Sequence, residues 1–179
     1  PGRTGEAAGW SQGFTPECEL AVPASWNEQR SDLEQYFGVG WYQRTLTVPA
    51  AAGCPAHLLH FGSVQNHARV WCNGRFVGGH RGGCLPFACR LDPHLRPGEQ
   101  NLIVVEVDAS VNPWDLPPAR IDPGATHEGF HNSHPAVTYD FFPYGGIPRP
   151  VALAITPTAV RIAGVRVEPV VDPSLRRAR

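Results

Sequence analysis

The stretch His67 to Cys72 alternates strictly, with Ala68, Val70 and Cys72 on one side and His67, Arg69 and Trp71 on the other, and it runs into Asn73-Gly74 before Arg75, Phe76 and Val77. Alternation with period two marks a half-buried strand, and Asn-Gly accepts the two consecutive positive φ angles of a type I′ turn, so the segment predicts a β-hairpin. A hairpin must bury one face, and the rest of the chain offers partners of the same kind. Trp41–Val48 puts Tyr42, Leu46 and Val48 on one face, with Arg44 as the exception, and ends at Pro49. Leu58–Val64 is a short apolar run, Leu102–Asp108 carries Ile103, Val105 and Val107, and Val151–Ile155 carries Val151, Leu153 and Ile155. Val160–Val167 is a last strand candidate. Helical signals are few: Asp32–Phe37 allows one turn capped by Ser31, and Val22-Pro23 reads as extended chain entering a turn. The 19 glycines and 19 prolines fall between these runs and form no repeat. The pattern predicts an all-β sandwich in preference to any α/β architecture.

Charge and cysteine usage narrow the partners. Fifteen basic residues, all arginine, face sixteen acidic ones without a basic block, which excludes nucleic acid as a partner. No run of eighteen apolar residues and no charged-then-apolar leader is present, so neither a helical membrane span nor a signal peptide is expected. Five cysteines with no CxxC pair give neither a zinc ribbon nor a complete disulfide framework; they are read as mostly free, buried thiols, and with the absent leader they suggest a cytoplasmic setting. The chain opens on Pro1 and contains no methionine, so a fragment of a longer protein is expected. Residues 1–21 are small and polar, with Trp10 and Phe14 as large anchors, and read as a poorly ordered segment packing on the sandwich; 22–158 form the domain proper, and 159–179 begin a linker or a further domain.

Between Ser110 and Pro148 lies a long irregular stretch rich in proline, glycine and histidine. Loops of more than about 15 residues in a compact domain are usually functional, which makes this the place to look for a site. It contains His127-Glu128-Gly129-Phe130-His131, a match to HExxH, whose zinc chemistry needs both histidines on one helical face and the glutamate as general base. Pro123 and Gly124 before it, Gly129 inside it and Pro135 after it oppose a helix, and His134 follows on the same segment instead of arriving as a third ligand from elsewhere. A metal site at His127, Glu128 and His131 is therefore disfavoured, adventitious binding aside, and these are read as solvated loop histidines. None of the scattered histidines at 57, 60, 67, 80 and 94 is read as a general base. No Gly-x-Ser-x-Gly elbow, phosphate loop or dinucleotide fingerprint occurs, and no cofactor is expected.

Five motifs in order, Val22-Pro-Ala-Ser-Trp-Asn27, Gly40-Trp-Tyr-Gln-Arg44, Val70-Trp-Cys-Asn-Gly74, His80-Arg-Gly-Gly-Cys-Leu-Pro-Phe87 and Asp140-Phe-Phe-Pro-Tyr-Gly-Gly-Ile-Pro-Arg149, give the chain a family resemblance from about Trp10 to Val167. It resembles the jelly-roll sugar-binding domain, of galactose-binding-domain type, that opens glycoside hydrolase family 2 enzymes, and the Asp140 motif looks more like β-glucuronidases than β-galactosidases. The resemblance implies a multidomain parent in which an immunoglobulin-like domain and a TIM barrel with two catalytic glutamates follow. No residue of this chain matches either glutamate, so the chain itself is expected to be non-catalytic. A glycoside or glucuronide is the implied substrate, and homo-oligomerisation of the full enzyme stays open. The sugar, whether glucuronate, galactose or galacturonate, also stays open.

The motifs also have a physical reading of their own. Trp71-Cys72-Asn73-Gly74 makes a strand and turn, and Gly82-Gly83 before Leu85-Pro86-Phe87 permits a bend that buries a proline and a ring. Asp140 is the best substrate-binding candidate: a carboxylate among Phe141, Phe142 and Tyr144 can accept two sugar hydroxyls, while aromatic faces stack on a pyranose. The resemblance implies that this aspartate reaches across the domain boundary to the sugar; the alternative is a turn cap or a pair with Arg149. Tyr144 is a weaker second candidate, and Gly145 and Gly146 would shape the loop. A free-standing carbohydrate-binding or lectin-like module on the same jelly roll is the rival function, and a small zinc hydrolase is a third.

Overall fold

The computed structural model describes residues 4–50, 56–92, 94–115, 118, 121–122, 136–137, 144–156, 162 and 164–174 of the 179. After a one-turn helix α1 (Thr4–Ala7) the strands run β1 Ala24–Ser25, β2 Val39–Thr47, β3 Ala56–Phe61, β4 His67–Cys72, β5 Arg75–Arg81 and β6 Phe87–Arg90. They continue as β7 Gln100–Asp108, β8 Ile121–Asp122, β9 Ala136–Val137, β10 Gly146–Ile147 and β11 Val151–Thr156. Two antiparallel sheets, ordered β2-β7-β4-β5 and β11-β3-β6, make the sandwich, with β1-β10 and β8-β9 as small separate pairs.

The hairpin β4–β5 turns on Asn73 at φ 50° and Gly74 at φ 77°, the two positive values of a type I′ turn. Asn73 also ties the turn into the fold. Its Nδ2 donates to His94 O at 2.8 Å and to Asn101 Oδ1 at 2.9 Å, and its Oδ1 accepts the Leu102 N–H at 2.9 Å. The pairing slips by one residue between Val70 and Trp71, a β-bulge of the kind that increases local twist.

The alternation read in the sequence is the alternation seen. Ala68, Val70 and Cys72 on β4 and Ile103, Val105 and Val107 on β7 point inward, where they meet Leu59, Phe61, Cys89 and Leu91. Each such side chain removed from water contributes about 1.5–3 kcal/mol before entropy is counted. The opposite face of the larger sheet is also covered, which is why Trp71, Val104 and Glu106 are buried there as well. Trp41 stacks on Trp71 at 5.3 Å, and Trp10 of the N-terminal segment meets Trp41 edge-on at 5.8 Å. Gly5 lies buried against Trp10 and Trp41, and Glu6 takes a two-pronged ion pair from Arg69 at 2.7 and 2.9 Å.

Some local expectations are corrected. Residues 32–37 do not form a turn capped by Ser31: a 3₁₀ turn covers Ser31–Leu33, its cap position is Arg30, and the Arg30 guanidinium pairs with Asp32. The short β6 carries no long alternation and was not anticipated; it is held by register with β3. In the bend before it, Pro86 is exposed and Leu85 is 62% exposed, so only Phe87 is packed, between Phe61 and His80. Among the described residues of 160–167 there is no strand; Val165 and Val167 are 78% exposed, and alternation without a pairing neighbour does not make a ladder. Of the thiols, Cys72 and Cys89 are buried but Cys18 and Cys84 are exposed.

Candidate functional site

The site is built where the long irregular stretch leaves and rejoins the sandwich. Gln65 and Asn66 lie between β3 and β4, and their consecutive backbone N–H groups reach both ends of that stretch. Gln65 donates to Gly146 O at 3.0 Å and Asn66 to Asp108 O at 2.8 Å, with Asn66 Nδ2 at 3.4 Å from Ser110 O. The two ends, or feet, of that stretch, at Asp108–Ser110 and at Gly146, are therefore held side by side.

The first foot is fixed by Asp115. This buried carboxylate takes His67 Nε2 at 2.8 Å and Arg81 Nε at 2.7 Å, from the ends of β4 and β5, and Asn112 Nδ2 on its other oxygen. Burial alone would raise the Asp115 carboxyl, but the hydrogen bonds from His67, Asn112 and Arg81 outweigh it and hold the group below the ordinary carboxylate range. Asn112 Oδ1 accepts the Trp114 N–H at 2.9 Å, a local turn that leaves Trp114 83% exposed.

The second foot is fixed by Trp26 and Asn27. β1 pairs with β10 through Ala24↔Ile147 and Ser25↔Gly146, which brings Gly145 over the 3₁₀ turn Trp26–Glu28. Ser25 caps that turn, its Oγ accepting the Asn27 N–H at 3.1 Å. Asn27 is 6% exposed and uses both ends of its amide. Its Oδ1 accepts the Gly145 N–H at 2.7 Å, and its Nδ2 faces the carbonyls of Leu33, Glu34 and Tyr36 at 2.8, 3.1 and 3.2 Å. Trp26 donates its backbone N–H to Gly145 O at 3.3 Å and its Nε1 to Tyr36 O at 3.0 Å.

Both glycines here are required by space. A Cβ on Gly145 would stand 2.4 Å from Trp26 Cζ2; Gly146 has φ +103°, and a Cβ there would stand 2.8 Å from the Tyr42 hydroxyl. The Trp26 indole, stacked on Tyr42 at 6.2 Å, forms the floor on which the loop foot lies. Tyr144 emerges from this floor 41% exposed and borders an open groove of about 500 Å³, with Gln29, Arg30 and Glu34 on its other side.

Of the residues singled out in the sequence, Tyr144 is placed at the edge of this groove, while Asp140, His127, Glu128 and His131 lie outside the described residues. Arg149 reaches the Cys84 carbonyl at 3.3 Å, and His80 bonds locally to Gly82 O at 3.1 Å. Among the described residues no group of three or more histidine, cysteine, aspartate or glutamate side chains could hold a metal ion. Sequence reasoning missed Asn27 and Asp115. For Asp115 a faint signal existed, the Asn112-Pro-Trp-Asp115 turn; for Asn27 there was only its place in the first motif.

Residues 6–157 match the family model described as glycosyl hydrolases family 2, sugar binding domain. The chain is 35% identical over 159 residues to a β-glucuronidase of Paenibacillus borealis, covering 86% of this chain and 26% of that protein. It is 32% identical to the β-glucuronidase of Felis catus, covering 80% and 23%. Among solved structures, Faecalibacterium prausnitzii β-glucuronidase matches with TM-score 0.69 at 36% identity, covering 82% of this chain and 28% of that one. Ruminococcus gnavus β-glucuronidase matches with TM-score 0.74 at 28% identity, covering 87% and 26%. The chain thus spans about a quarter of the length of the curated relatives it matches.

Proposed function

We infer the role of this chain from its membership: it belongs to the sugar-binding domains of family 2 glycosyl hydrolases, in the β-glucuronidase-like group. It is the N-terminal domain of that architecture, and its relatives are full enzymes several times its length. The parent protein is proposed to hydrolyse β-glucuronides with retention, through two carboxyl groups that lie outside this chain and about 5 Å apart. This chain supplies scaffold and one wall of the pocket. The observation that carries this reading is the clamp at Gly145, held by Trp26 and Asn27, beside which Tyr144 stands 41% exposed.

Asp140, a few residues upstream of that clamp, is assigned the contact with sugar hydroxyls, and Tyr144 the edge of the wall. One aspartate gives too few contacts to hold a sugar alone, whereas in a shared pocket a charged hydrogen bond contributes about 1.5–3 kcal/mol. A free-standing lectin-like module would need an exposed aromatic platform; Trp41 is instead covered by Trp10 and Gly5, and Trp71 is buried against Trp41 with the Arg69 guanidinium over its ring. The test is an assay with p-nitrophenyl β-glucuronide. The parent polypeptide should turn it over and the 179-residue chain alone should not; turnover by the repurified chain, or none by the parent, contradicts the reading.

A further inference from the structure

We propose that residues 4–14 form a strap over the outer face of the larger sheet, with Glu106 beneath it as the latch: the strap closes on the neutral carboxyl and loosens when that carboxyl is ionised. Contacts along the segment place it. Gly5 packs on Trp10 and Trp41, and Gly13 lies against Leu102 of β7. Gln43 brackets Phe14, accepting its N–H at 3.0 Å and donating to its carbonyl at 2.9 Å. Gln12 Nε2 reaches Gly74 O, at the β4–β5 turn, at 3.4 Å. Glu106 is the ladder partner of Trp41 on one side and of Arg69 on the other, the two residues that the strap grips through Gly5 and Glu6.

The closed strap leaves this carboxyl poorly served. Glu106 is 8% exposed, its Oε2 is buried with no hydrogen-bond partner among the described residues, and its Oε1 stands 3.6 Å from Arg69 Nη1. Both prongs of the Arg69 guanidinium go to Glu6, at 2.7 and 2.9 Å, and the group lies over the Trp71 ring at 5.0 Å. A buried carboxylate needs a close cation or several donors, and here it has neither. The other groups around it do not supply them. Asp108, on the same strand, is a like charge; His67 of β4 and Arg81 of β5 are turned to Asp115; and β2 faces Glu106 with the uncharged Trp41. Burial therefore lifts the Glu106 carboxyl above its ordinary 4.5, with Arg69 opposing the rise and Glu6 and Asp108 adding to it. The closed strap thus holds the proton more tightly than the open one. Its closure is fully favoured below the ordinary value and weakens as pH rises through the raised one. The Glu6–Arg69 pair is itself partly exposed and contributes little closure of its own; it occupies the fork that an ionised Glu106 would need.

The experiment is hydrogen exchange on the full-length protein between pH 4.5 and 7.5, read by mass spectrometry and corrected for the intrinsic pH dependence of amide exchange. The reporters are the strap amides of Ala8, Gly9, Gln12, Gly13 and Phe14, all hydrogen-bonded in the closed state, and amides of β4 and β7 are the reference for global opening. Strap protection should fall by at least about threefold as pH rises across this range, while the reference holds. Glu106→Gln keeps the shape and cannot ionise, so its strap should stay at the wild-type acid level of protection at every pH. Gly5→Ala, whose Cβ would stand 2.6 Å from both Trp10 and Trp41, should wedge the strap open and leave it weakly protected whatever the pH. Wild-type strap protection that does not change with pH overturns the proposal, as does a fall shared by the reference amides or a pH response that survives in Glu106→Gln. Should Glu106→Gln fail to fold, Gly5→Ala decides: a wild-type pH response in that variant assigns the titration to another group and equally overturns the latch.

Discussion

Gln65 donates its backbone N–H to the carbonyl of Gly146 at 3.0 Å, joining the segment between β3 and β4 to the far end of the long loop. Asn66 makes the matching bond to Asp108 at the near end. Two consecutive backbone N–H groups thus hold together the two ends of the stretch in which the sequence places its best sugar-binding candidate.

Gly146→Ala should be among the most damaging single-methyl changes in the domain. The φ of +103° is unfavourable to any L side chain, and the new Cβ would stand 2.8 Å from the Tyr42 hydroxyl and 3.3 Å from Trp26 N. Strain and overpacking each cost about 1–3 kcal/mol, so urea unfolding should show a stability loss in that range or above, where a surface Gly→Ala control shows little.

Acid should loosen the first loop foot. The folded Asp115 carboxyl lies below its ordinary value, so its contribution is fully present above the unfolded pKa of about 3.9 and is lost as pH falls through the lower folded value. Asp115→Asn should destabilise the domain at pH 7 and flatten the dependence of stability on pH below about 4. Equal slopes for the two proteins below that pH would remove Asp115 from the acid transition.

The cysteines should divide by burial. Desolvation pushes the Cys89 thiol up to about 11 and raises Cys72 as well, and the thiolate is the reactive species. Iodoacetamide at pH 8 should modify Cys18 and Cys84 in the native protein and reach Cys72 and Cys89 only after denaturation, as read by peptide mass mapping. Native-state labelling of Cys72 or Cys89 would contradict the packing of β4 and β6.

What the sequence revealed and what it hid have physical reasons. The hairpin at Asn73-Gly74 was legible because a type I′ turn is decided by two adjacent residues, and the faces of β4 and β7 because period-two burial is written into neighbouring positions. β6 was hidden because four residues with exposed Arg90 carry too little pattern, and its strand state depends on β3. Val160–Val167 misled for the opposite reason, since its alternation has no partner among the described residues. The family motifs located the fold and the neighbourhood of the site. Asn27 escaped because its decisive bond is to Gly145, far along the chain, and nothing local in Ser25-Trp26-Asn27 distinguishes an amide that caps a turn from one that clamps a loop. Asp115 likewise depends on His67 and Arg81, which the sequence shows only as scattered charges.

Through Asp140, this domain is proposed to contribute a wall to a glycosidase pocket. The direct measurement is kcat/KM of the full-length enzyme on p-nitrophenyl β-glucuronide with Asp140 intact and with Asp140→Asn, at matched folded concentration. Asp140→Asn should lose about 1–3 kcal/mol in transition-state stabilisation, with Tm little changed. An unchanged kcat/KM, or a loss explained entirely by unfolding, would contradict it.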